Sequence, residues 1–259
     1  MAAGVQLYDS HCHLADARFK GVQRDVLLRA QDAGVSALVS VAALAGDWPR
    51  LLRLRRRFLY VAVAYGLHPW FEHDVRALVR LPQWLRRGGA VAVGECGLDF
   101  GEGRAARAVQ EALLVPQLRL ARELDLPVIL HAHKSEDVLA MHISRLPRLR
   151  GVVHGFHGSA QQAERFLQLG FYLGIGAAVT WPRAQRLRGV VASLPLERLL
   201  LESDAPDQPP RGRDPPNEPA FVRDTLNVLA ELRGVESEVV AAQTWQNAAS
   251  LFGVAGEVI

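Results

Sequence analysis

Histidines and carboxylates recur at a particular kind of place in this sequence. Leu7-Tyr8-Asp9-Ser10-His11-Cys12-His13 reads as a short apolar strand running into a His-x-His pair. Alternate side chains of an extended backbone share a face, so His11 and His13 point the same way. Two imidazoles aimed at one point suit a divalent cation between them. Alone, the pair also fits two unrelated polar residues at a strand end. It is not alone. Of nine histidines, seven follow short apolar stretches: His11, His13, His68, His131, His133, His154 and His157. Glu95 and Asp204 stand at equivalent places, whereas His73 and His142 fall in helical stretches and read as surface residues. Imidazole mixed with carboxylate suits borderline metals such as zinc or manganese, and a carboxylate between two clusters can bridge a pair of ions. Such a pair favours hydrolysis, by making hydroxide from water and neutralising an oxyanion.

The elements that must position these groups alternate. Strands are expected from Leu7 into the His-x-His pair and at Val35–Val41, 60–65, 90–94, 127–130, Gly151–Val153, 171–175 and 198–201. Helical spacing marks 24–33, Trp48–Arg57, 77–87, 104–124 with a kink at Pro116, 135–146, 160–169 and 181–194. A Pro-rich loop over 207–219 precedes two last helices, 220–232 and Ser237–Phe252, the latter with Ser237 as its expected N-cap. Eight strand and helix alternations give the count of a (β/α)8 TIM barrel, a single α/β domain over residues 1–259. A doubly wound open sheet shares the alternation, since pattern alone does not show closure. In a barrel, every position just past a strand opens on the face where active sites are found.

Composition narrows the class. At 49% apolar and 22% charged residues the chain is a folded protein, and no apolar run is long enough to span a bilayer. The N-terminus lacks a basic-then-apolar signal, so the cytoplasm is the expected compartment. Cys12 and Cys96 neighbour candidate ligands and, by alternation, face away from them as packing residues. The formal charge of +3 bears mainly on solubility, and the Arg53 to Arg57 run reads as the solvated face of a helix. No Gly-x-Gly-x-x-Gly or Gly-x-Ser-x-Gly is present, which argues against a nucleotide cofactor and a serine-hydrolase elbow.

Five segments in order carry a resemblance: His11-x-His13, Gly94-Glu95-Cys96-Gly97-Leu98-Asp99, Leu126-Pro127-Val128 before His131, His154-Gly155-Phe156-His157-Gly158, and Glu202-Ser203-Asp204-Ala205-Pro206. From Asp9 to Asn247 and Phe252 the chain resembles the TatD family of metal-dependent deoxyribonucleases, amidohydrolase-like barrels. The resemblance implies two divalent ions (Zn, Mg or Mn), one held by His11, His13, Glu95 and Asp204, the other by Glu95, His131 and His154, with Glu95 bridging. It implies hydrolysis of DNA phosphodiesters, with Asp204 orienting or deprotonating the attacking water. His68 and His157 match positions near the substrate phosphate, or alternatively hydrogen-bond partners that orient the ligands. Gly155, His157, His133 and Ser203 stand where the family often has Cys, Ser, Arg and Thr. None of these is a ligand, so the departures touch substrate choice more than reaction type.

Other readings remain. The same metal site serves an amidohydrolase-like enzyme acting on a small amide, lactone or phosphoester. A non-catalytic barrel binding nucleic acid or a protein is the third, against which the intact ligand set speaks. Trp70 and Trp181 are candidate base or sugar contacts, whereas Trp48, Trp84 and Trp245 read as packing. Arg211 and Arg213 are candidate phosphate clamps or solvated loop residues, and Asn247 holds the last helix. A monomer that engages no membrane is expected.

Overall fold

The structure, a computed structural model, describes residues 5–253. Its strands are β1 (Leu7–Cys12), β2 (Val35–Val41), β3 (Val61–Tyr65), β4 (Ala92–Asp99), β5 (Val128–His133), β6 (Gly151–Val153), β7 (Tyr172–Ile175) and β8 (Leu199–Leu201). They pair in parallel in chain order. Parallel neighbours need a long crossover, and helices supply it: α1 (Gln23–Asp32), α2 (Trp48–Arg57), α3 (Val75–Arg87), α4 (Arg107–Glu123), α5 (Glu136–Ser144), α6 (Ala160–Gln168) and α7 (Gln185–Ser193). α8 (Val222–Arg233) and α9 (Ser237–Phe252) follow β8.

Closure is made just beyond β8. The Asp204 amide donates to the His11 carbonyl at 2.9 Å, the His13 amide donates to the Ala205 carbonyl at 2.7 Å, and Cys12 pairs with Ala205 in parallel. The first and last strands therefore meet, and the sheet is a barrel, not an open doubly wound sheet.

Side chains sort into two apolar layers, as strand alternation requires. Tyr8, Val39, Ala62, Ala92, Ile129 and Leu200 fill the lumen, and Leu251 and Phe252 of α9 pack against them. Leu38, Val63, Val93, Leu130, Leu173 and Leu201 face outward to the helices, and Cys12 and Cys96 join this outer layer as buried free thiols. Trp48 and Trp84 pack between helices and barrel as expected, with ring centres 5.9 Å apart. Pro116 lies within α4.

Four expectations need correction. β4 and β5 run on through Glu95, His131 and His133, which were expected past the strand ends, because pairing continues from Cys96 opposite Leu130 to Asp99 opposite His133. Trp181 is extended, with ψ of 120°, since the residue before a proline avoids helical backbone; α7 starts later, at Gln185. Ser237 is already inside α9 and bonds Glu238, so Glu236 holds the cap position. His142 is half-buried 3.5 Å from Glu111, and His73 is half-buried with Nε2 2.7 Å from the His68 carbonyl oxygen, so neither is a free surface residue.

Asn247 is buried, and its amide donates at 2.8 Å to the carbonyls of both Leu196 and Leu199, fastening α9 to the base of β8. Asn247→Ala strands two buried acceptors. The expected loss is about 2–4 kcal/mol of unfolding free energy, read by urea denaturation.

Candidate metal centre

The barrel delivers its chemistry to one mouth through alternation, interrupted by register shifts in β1 between Asp9 and Cys12 and in β4 between Val93 and Cys96. On β1 and the residue after it, Asp9, His11 and His13 share parity; on β4, Glu95 and Asp99; on β5, His131 and His133; after β8, Glu202 and Asp204. Glu95 lies at the centre, 1% exposed. Its Oε2 is 3.3 Å from Nε2 of both His11 and His13. Its Oε1 is 2.8 Å from His154 Nε2, 2.9 Å from His68 Nε2 and 3.2 Å from His131 Nδ1. Asp204 Oδ1 stands 3.6 Å from His11 Nε2 and 3.7 Å from His13 Nε2.

The two inner nitrogens of His11 and His13 approach to 3.1 Å, and those of His131 and His154 to 3.2 Å. Lone pairs do not converge this way unless a proton or a cation sits between them. Ligand atoms about 2.1 Å from a shared ion lie roughly 3.0–3.4 Å from one another, close to these separations. Glu95 Oε2 is buried with no hydrogen bond among the described residues. The donor set therefore fits divalent metal. Three groups of potential ligands emerge, His11 with His13 and Glu95, His11 with His154 and Asp204, and His68 with Glu95 and His131.

The outward ring nitrogens are mostly anchored, which sets tautomer and orientation. His131 Nε2 is 2.9 Å from Asp99 Oδ2 and His13 Nδ1 is 3.2 Å from the Val41 carbonyl, whereas His154 Nδ1, 3.6 Å from Glu202 Oε1, and His11 Nδ1 have no hydrogen bond among the described residues. The carboxylates behind them are held in turn. Asp9 accepts from the His11 and Ser203 amides and from the Ser203 hydroxyl, Glu202 accepts from the Gly155 amide, and Asp99 from the Gly101 amide and the Trp70 indole. Gln208 donates to Asp204 Oδ2 at 2.7 Å.

Burial sets the titration. It pushes Asp9 up to about 7 against the hydrogen bonds that favour its ionised form. It lowers His68 to about 4 and holds His11 well below its ordinary value, so both are neutral. Burial opposes charge on Glu95 as well, but the surrounding imidazoles outweigh it and hold the carboxylate well below its ordinary range.

Every expected ligand, His11, His13, Glu95, His131, His154 and Asp204, meets in this cluster. His68 belongs to it too, at ligand distance from Glu95. His157 does not: it is exposed, with Nδ1 against the Gly155 carbonyl. Trp70 lies at the cluster's edge, but Arg104 covers its ring, 4.1 Å from the centroid. Trp181 is stacked with Arg183 instead, and Arg213 is paired with Asp224. The Arg211 amide donates to Thr180. Asp9, Asp99 and Glu202 were not singled out from sequence. The signal was spacing, since each lies two or four residues from a recognised ligand, Asp9 and Asp99 within one strand and Glu202 within the segment after β8.

A model of the family described as TatD related DNase matches residues 8–253. The chain belongs to the TatD family. It is 45% identical to the uncharacterized metal-dependent hydrolase YjjV of Escherichia coli K12, covering 95% of this chain and 97% of that one. The crystal structure of E. coli YjjV, a TatD homolog, superposes with a TM-score of 0.92 at 43% identity, covering 96% of this chain and 99% of that one. A 3'-5' ssDNA/RNA exonuclease TatD of Klebsiella pneumoniae is 33% identical, covering 96% and 98% of the two chains. This TatD-family protein is thus a metal-dependent hydrolase, built as an eight-stranded barrel.

His13 is raised to about 9: burial works against its charged form, but Glu95 and Asp204 outweigh that cost. His131 and His154 are raised in the same sense, through their carboxylate neighbours. An imidazole whose pKa rises above 6.5 on folding contributes stability below that value, and the contribution fades as pH climbs through the folded value. Chelated protein is therefore expected to melt at falling temperature from about pH 7 to about pH 9, and His13→Gln to flatten the slope in calorimetry.

Proposed function

We propose that this protein is a two-metal phosphodiesterase acting on DNA. His11, His13, Glu95 and Asp204 would hold one divalent ion and Glu95, His131 and His154 the other. The observation that carries the reading is the division of Glu95: one carboxylate oxygen faces His11 and His13, the other faces His131 and His154. A bridging carboxylate has this disposition. When bound, zinc, magnesium or manganese would supply an activated water and neutralise charge on the phosphate.

The chain's own groups do the rest. Asp204 Oδ1 faces His11 and His13 and is the base that takes the proton of the attacking water, while Gln208 on Oδ2 fixes its plane. His68 is neutral and beside Glu95 Oε1, so it offers a hydrogen-bond donor without adding charge. Asp99 keeps His131 turned with Nδ1 inward.

The mouth suits an extended anionic substrate. A lobe of about 680 Å³ carries Arg18 and Arg50, and another of about 480 Å³ carries Arg104. Trp70, His131, His154 and Gln208 line both. The exonuclease relative named above supports nucleic acid as the substrate class. Every proposed ligand comes from one chain, so the site is complete in a monomer. The two buried free thiols suit the reducing cytoplasm, and no helix among the described residues is long and apolar enough to cross a membrane.

Chelated protein should regain cleavage of single-stranded DNA on adding divalent metal. Glu95→Ala should lose about a thousandfold or more in kcat while keeping its circular dichroism spectrum. Parent-level activity in Glu95→Ala would overturn the reading, and turnover of a cyclic amide but not of DNA or a chromogenic phosphodiester would replace it. Asp99→Asn should cost about 10–100-fold in metal affinity, measured by titration with competing chelator.

A further inference from the structure

Arg104 occupies an unusual position for an arginine at a rim. Its guanidinium lies over the Trp70 ring, 4.1 Å from the centroid, and its Nε is 3.7 Å from Asp99 Oδ1. It makes no hydrogen bond among the described residues. Asp99 is already engaged by His131 Nε2 at 2.9 Å, by the Gly101 amide at 2.7 Å and by the Trp70 indole. The guanidinium is thus fixed in plane from below and left with its N–H fork unspent. It lines the smaller lobe, where it is the only arginine or lysine among the described residues.

The other arginines of the mouth are used differently. Arg18 is committed to Asp16 and Asp207, with contacts of 2.7–3.0 Å, and Arg50 is shared between Asp47 and the Ala15 carbonyl. A flat, pre-oriented fork with free N–H groups matches two oxygens of a phosphate. It also replaces the Trp70 face as the surface a substrate meets, because that face is already covered.

Resting on the phosphodiesterase reading, we infer that Arg104, levelled by Trp70 and Asp99, is a specificity-determining residue that grips a second phosphate of the substrate, next along the strand from the one cleaved. The link to the centre is short: Asp99 joins Arg104 to His131, and His131 Nδ1 is 3.2 Å from Glu95. The smaller lobe would then select strands carrying consecutive phosphates over isolated phosphodiesters. The exposed Glu102 at the same rim disfavours an anion placed beyond the reach of Arg104.

The test uses competitive inhibition of bis(4-nitrophenyl) phosphate hydrolysis by metal-loaded protein, so it does not depend on DNA being cleaved. Thymidine 3',5'-bisphosphate should inhibit about tenfold to a hundredfold more tightly than thymidine 5'-phosphate, the range of charge-assisted hydrogen bonds to one phosphate. Arg104→Gln should bring the two inhibition constants within about twofold of each other, and Arg104→Lys should restore only part of the gap, because an ammonium keeps the charge but not the fork. Trp70→Ala should narrow the gap with the charge intact, which a general electrostatic effect would not do. A gap that survives Arg104→Gln, equal weakening of both inhibitors, or no gap in the parent protein overturns the inference. Loss of DNA cleavage in the parent with the gap preserved would instead count against the DNA reading alone.

Discussion

The site depends on one buried carboxylate surrounded by five imidazoles. Each of His11, His13, His68, His131 and His154 brings a ring nitrogen within 3.3 Å of Glu95. In a low-dielectric interior such a carboxylate stays ionised only if positive charge compensates it. The imidazoles cannot all supply that charge as protons, because they then repel one another; burial already drives His11 and His68 to the neutral form. A divalent cation resolves the conflict. It satisfies neutral imidazole lone pairs and the carboxylate together, and its binding releases the protons that His13, His131 and His154 otherwise hold.

The barrel makes this concentration of polar groups tolerable by keeping it at one end. Small and apolar residues fill the lumen, and α9 packs against them through Leu251 and Phe252. At the mouth, the supporting carboxylates double as structural ties. Asp9 binds the amides of His11 and Ser203, joining β1 to the segment after β8; Glu202 binds the Gly155 amide, joining that segment to the turn after β6. The groups that orient the candidate ligands thus also hold the sheet closed, so site geometry and barrel closure are not independent.

Much of this was legible in the sequence. Strand and helix alternation gave the barrel, with β2, β6 and α2 at the expected residues, and the positions of histidines at strand ends gave the cluster. What sequence did not yield has specific causes. Glycines flanking Glu95 made β4 look as though it stopped at Gly94, although pairing with β5 carries it to Asp99. His68 and His157 looked equivalent because both follow strands; three-dimensional packing separates them, since one turns inward to Glu95 while the other stays exposed. Trp70 looked like an open stacking platform because Arg104 is 34 residues away in the chain, and no local pattern announces a contact between two loops.

The balance of charge at the mouth sets the order of binding that the proposed reaction would follow. Asp16, Asp47, Glu95, Asp204 and Asp207 all line the larger lobe, and Arg18 and Arg50 are largely engaged in neutralising Asp16, Asp207 and Asp47. Glu95 and Asp204 are left facing the position a phosphate would take on the proposed reading. On the phosphodiesterase reading, a phosphodiester would be repelled by them until cations are in place, so metal and substrate would bind with positive linkage, each raising the affinity of the other. The same acidic lining that would gather divalent ions thus disfavours bare anions, and the fork of Arg104 at the rim would meet the proposed substrate where the centre's own charge does not reach.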